Sequence, residues 1–74
     1  MDAKEWERQF EDSVARERGL MVDVLDASRA MTGTFRPPGT SPADAAEDFA
    51  EKFAAWRAVA DSIVTLAEHR LAKR

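Results

Sequence analysis

The chain has 74 residues, a hydrophobic content of 45%, a net charge of −3 at pH 7 and no cysteine. This length and composition predict one folded domain over residues 1–74, with a small core, rather than a disordered chain. The acidic balance argues against binding to nucleic acid or to an anionic membrane, and the absence of cysteine with a single histidine predicts no metal site and no cofactor.

A first helix is predicted over about residues 3–31. Asp2 followed three residues later by Glu5 has the spacing of a helix N-cap, because the Asp2 carboxylate can accept a hydrogen bond from a free N–H of the first turn. Apolar residues then recur every four positions, at Trp6, Phe10 and Val14. This spacing is typical of one face of an amphipathic helix.

Gly19 decides whether this helix is continuous. At about 100° per residue, the apolar residues that follow Gly19 fall on the face defined by those before it. These residues are Met21, Val24, Leu25 and Met31. A helix restarted after a turn would keep this phase only by chance, so we favour one continuous helix. The alternative is a three-helix fold with a break at Gly19.

Residues 32–41 form the linker. Gly33 is a suitable C-cap, and the run Pro37-Pro38-Gly39 is typical of a rigid turn.

A second helix is predicted over about residues 42–72. Ser41 can cap it, Pro42 occupies the first helical position and Asp44 the third. On a helical projection, an apolar stripe faces one side: Ala46, Phe49, Phe53, Trp56, Ala60, Ile63, Val64, Ala67 and Leu71. Val59 and Leu66 widen it to an arc of roughly 160°. One partner helix covers a narrower stripe, so this arc predicts two contact surfaces.

Glu17 is the one charged residue near the centre of the first stripe. When the chain is folded as an antiparallel hairpin about residue 37, Glu17 lies level with Arg57. We therefore predict that Glu17 and Arg57 form a structural ion pair or share a hydrogen-bond network, which would fix the register of the helices.

A hairpin buries only one seam, so part of the apolar arc should form an interface. The expected interface residues are Val22, Val59, Leu66, Trp56 and Ile63. A symmetric homodimer would satisfy them, because two hairpins form a dimeric four-helix bundle. A monomer with a broken first helix and a complex with another protein are the alternatives.

Three acidic pairs resemble those with which small helical-bundle nucleotide pyrophosphatases hold Mg²⁺: Asp23 with Asp26, Asp44 with Glu47, and Asp48 with Glu51. On the projection, Asp23, Asp26 and Glu51 diverge, whereas oxygen ligands must converge on a cation. We interpret the pairs as part of a solvated face.

The sequence favours a small non-catalytic protein-interaction or regulatory module that binds a larger protein. The alternatives are a small metal-dependent helical-bundle enzyme that uses the acidic pairs, and a small subunit of a multi-chain enzyme. No motif identifies a family. The charged N-terminus and the lack of a long apolar run predict a cytoplasmic protein, and the bias toward alanine and arginine is typical of a bacterial or phage genome.

Overall fold

The computed structural model describes residues 2–33 and 36–72, so loop residues 34 and 35 and the chain ends lie outside this description. Two helices, α1 (Ala3–Met31) and α2 (Pro42–Ala72), pack against each other as an antiparallel hairpin. The hairpin measures 52 × 16 × 14 Å, and the described residues include no strand. The expected all-α helical hairpin is therefore confirmed.

Both helices begin at the caps expected from the sequence. The Asp2 carboxylate accepts a hydrogen bond from the Glu5 N–H at 2.8 Å, and the Ser41 hydroxyl accepts one from the Asp44 N–H at 3.1 Å. Each cap satisfies an N–H group that has no partner within its own helix.

The turn between the helices depends on two glycines and one arginine. Gly33 and Gly39 both have a φ of +85°, a conformation that other residues rarely adopt. Arg36 donates hydrogen bonds to the carbonyls of Ala30 and Met31, at 3.1 and 3.2 Å. This guanidinium closes the C-terminal end of α1, where carbonyl groups lack helical partners.

Helix α1 runs through Gly19 without a break, so the three-helix alternative is wrong. A Cβ atom added at Gly19 would meet nothing within 4 Å. Gly19 is exposed and costs α1 some local stability, but the apolar contacts on both sides of it keep the helix continuous.

The seam between the helices follows alternating steps of three and four residues, the repeat of a coiled coil. In α1 the seam residues are Trp6, Phe10, Ser13, Glu17, Leu20, Val24 and Ala27. In α2 they are Ala45, Phe49, Lys52, Trp56, Val59, Ile63 and Leu66. All fourteen are half-buried or buried, and Val24, Ala27 and Ala45, near the turn, are the buried residues among those described.

We predict that Gly19→Ala stabilises the protein by about 1 kcal/mol, because alanine restricts the unfolded chain and fits the helix without a clash. Thermal or urea unfolding followed by circular dichroism at one fixed protein concentration measures the change.

Gly39→Ala is the matched control. It makes the same chemical change where φ is +85°, so it should lower stability. Equal effects of the two substitutions would contradict the continuous helix at Gly19.

Candidate interaction surface

Glu17 forms its hydrogen bond with Trp56 rather than with Arg57. The Trp56 Nε1 donates to the Glu17 Oε1 at 2.9 Å, in a half-buried part of the seam. Arg57 is exposed, and no ion pair joins it to Glu17 in the part of the chain that the structure describes. The cause is register: Trp56 occupies the seam position opposite Glu17, and Arg57 lies one residue further around α2.

The open end of the hairpin, away from the turn, is closed by Trp6. Its indole Nε1 donates to the backbone carbonyl of Leu66 at 2.8 Å, which ties α1 to α2 across 60 residues of sequence. The ring stacks on Phe10 with a centroid distance of 5.0 Å, and the Arg70 guanidinium lies 5.5 Å from its centroid. These contacts cover part of the aromatic surface of Trp6, which is half-buried, and satisfy its N–H group.

Four of the five residues expected at an interface lie on the seam of the hairpin. Trp56, Val59, Ile63 and Leu66 are half-buried against α1. Val22 is 57% exposed and lies on the far side of α1 from the seam. The surface available to another molecule is therefore formed by different residues.

The hairpin has two unlike sides. In an antiparallel pair, the residues that come directly after a seam residue in the sequence lie on one side of the hairpin on both helices. The residues that come directly before a seam residue lie on the other side. The first set consists of the positions one and four after Phe10, Glu17 and Val24 of α1 and after Phe49, Trp56 and Ile63 of α2. At the same seven-residue spacing it continues to Lys4, Glu7, Ala43, Ala46 and Leu71. We call this the apolar side, and the opposite one the polar side.

The polar side is strongly acidic. It carries seven of the 14 acidic residues: Glu5, Asp12, Asp23, Asp26, Asp44, Asp48 and Glu51. Near the turn, Asp23, Asp26 and Asp48 line a groove of about 590 Å³ together with Lys52. The hydrogen bond that Lys52 donates to Asp48 raises the pKa of Lys52 above its ordinary value, and the charges of Asp48, Asp23 and Glu51 act in the same direction.

Two basic side chains of the protein itself thus contact carboxylates of this acidic groove. Lys52 pairs with Asp48, and Arg29 lies 3.8 Å from Asp26. No cluster of three or more His, Asp or Glu side chains suited to a metal ion occurs within residues 2–33 and 36–72.

The apolar side presents large hydrophobic residues to solvent along the length of the hairpin. Leu25 is 51% exposed, Phe53 40%, Val64 54% and Leu71 56%. Met21 and Val14 lie between them on α1, half-buried. The sequence projection placed these residues on the seam, whereas in the structure they flank it. Alternating steps of three and four residues, counted along α2 from Trp56, would have separated the seam residues from the residues that flank the seam.

In the regions described, neither helix has an apolar stretch long enough to span a membrane. Comparison of the chain with protein-family models, with curated proteins and with solved structures finds no significant match.

We predict an energetic coupling between Glu17 and Trp56. Trp56→Phe removes the donor and Glu17→Leu removes the acceptor, so each single change leaves one half-buried polar group without a partner. The double variant removes both and should lose about 1–2 kcal/mol less than the sum of the single losses. Chemical unfolding of the four proteins measures this cycle.

The control cycle replaces Glu17 by Leu and Arg57 by Leu. Coupling in this cycle, and none between Glu17 and Trp56, would refute the observed partner choice.

Proposed function

We propose that this protein is a non-catalytic protein-interaction module, and that its apolar side packs against the same side of a second copy to give a dimeric four-helix bundle. The observation that carries this proposal is the row of exposed large hydrophobic residues on one side of the hairpin. Large hydrophobic residues exposed together on one side of a protein usually mark a contact site.

The small core supports the same proposal. The buried residues among those described are Val24, Ala27 and Ala45, two of which are alanines. Small domains with so little buried apolar surface usually need a further source of stability, and oligomerisation is one such source. Covering Leu25, Phe53, Val64 and Leu71 would add part of the roughly 1.5–3 kcal/mol that full burial of each side chain contributes.

The unlike sides also support this arrangement. If the apolar sides meet, the acidic polar sides face solvent, where their carboxylates stay hydrated and avoid the cost of burying unpaired charge. The polar sides are then the surfaces that a larger protein would contact. We propose that the module acts in this way, by binding rather than by catalysis.

We predict that Val64→Glu weakens self-association at least about tenfold, because it places a charge in the dimer contact. Val64 is exposed in the hairpin, so the helical content at high protein concentration should change little. Light scattering over a concentration series measures the mass, which should lie near twice 8.3 kDa for the unchanged protein.

The control is Ala58→Glu, which adds the same charge to an exposed position of α2 on the polar side. It should leave the dimer intact. An unchanged protein that stays at 8.3 kDa at every concentration, or equal effects of the two variants, would overturn the proposal.

A further inference from the structure

We infer that helix α2 of one copy packs antiparallel on helix α2 of the other, in full overlap, so that the two turns lie at opposite ends of the bundle. This inference rests on the proposed function, because it specifies how the apolar sides meet. The alternative geometry places α1 over α2 of the other copy, with both turns at one end.

The size of the apolar side fits a second copy. The hairpin is 52 Å long and 16 Å wide, so each copy offers 52 × 16 Å, or roughly 800 Å², to a partner. Two such surfaces bury about 1,600 Å² in total, the usual size of a stable protein–protein interface. Another hairpin of the same length covers the whole row from Leu25 to Leu71.

The two helices contribute unequally to this side. Half of the eight α1 positions are charged: Lys4, Glu7, Glu11, Val14, Arg18, Met21, Leu25 and Ser28. One of the nine α2 positions is charged: Ala43, Ala46, Ala50, Phe53, Arg57, Ala60, Val64, Ala67 and Leu71. Packing α2 on α2 therefore joins the two surfaces that carry the fewest charged residues, and the charged α1 positions of one copy then lie over α1 of the other copy.

The α2 residues are also complementary in size. Helix α2 spans residues 42–72, so full antiparallel overlap of two copies places residue 57 level with itself. Large residues then lie level, to within one residue, with alanines of the other copy: Phe53 with Ala60, Val64 with Ala50, and Leu71 with Ala43. Alternation of large and small residues across a contact allows helices to approach closely and leaves few voids.

Arg57 is the one charged position on this α2 surface, and it lies at the symmetry axis. Its long side chain is exposed in the hairpin and can extend past the edge of the contact into solvent. In the proposed bundle the Arg57 backbone of one copy lies beside that of the other. In the alternative geometry the two α2 helices lie on a diagonal of the bundle, and these positions are far apart.

Because the chain contains no cysteine, one introduced cysteine reports the distance between position 57 of one copy and position 57 of the other. In Arg57→Cys the two thiols meet at the axis, and mild oxidation should give a disulfide-linked dimer on non-reducing gels. A disulfide requires Cα atoms about 4.4–6.8 Å apart. The control is Ala58→Cys, one residue away on the polar side. We expect about tenfold more linked dimer from Arg57→Cys than from Ala58→Cys.

Light scattering of both variants under reducing conditions separates the two proposals. A dimeric mass with efficient linkage at position 57 supports the arrangement. A dimeric mass without linkage at position 57, or with equal linkage at both positions, overturns the α2-on-α2 arrangement and leaves the interaction module standing. A monomeric mass of the unchanged protein and of both variants overturns both.

Discussion

The structure depends on the seam between α1 and α2, and this seam is narrow. Two helices can bury only the residues that face each other, which here means one residue at every step of three or four along each helix. Both helices are longer than 28 residues, yet the described part of the chain contains three buried residues. Greater helix length therefore adds contact area to this hairpin without burying its seam residues more completely. The proposed second copy would bury more of them.

Two tryptophans compensate in part for the shallow core. Trp6 and Trp56 each place a large ring in the seam and direct the indole N–H to an acceptor on the opposite helix. These hydrogen bonds join specific atoms, the Leu66 carbonyl and the Glu17 carboxylate, so they select one register of α1 against α2. Nonspecific apolar packing would tolerate a shift by one repeat more readily. The half-buried glutamate in the seam thus favours one register of the two helices, and its indole partner offsets the cost of dehydrating its charge.

The same register that aligns the tryptophans also sorts the remaining residues between two sides. Half of the carboxylates lie on one side, which includes the groove of Asp23, Asp26 and Asp48, and the exposed residues Leu25, Phe53, Val64 and Leu71 lie on the other. This sorting depends on the antiparallel direction of the helices, because antiparallel packing places the positions that follow the seam on both helices together. The hairpin consequently exposes large hydrophobic residues of both helices on the same side, and its proposed role in protein binding follows from that placement.

The sequence by itself determined the features that depend on near neighbours. It placed the helices at about residues 3–31 and 42–72, where the structure has Ala3–Met31 and Pro42–Ala72, because caps, prolines, glycines and periodicity act within a few residues. Tertiary structure decided which residues face the partner helix. A straight helix of 3.6 residues per turn drifts by about 20° per heptad from the 3.5-residue repeat of two coiled helices, or roughly 80° over four heptads. That drift moves Val64 and Leu71 from the expected seam to the exposed apolar side. The register of α1 against α2, which places Trp56 opposite Glu17, decides that the partner of Glu17 is Trp56 and not Arg57.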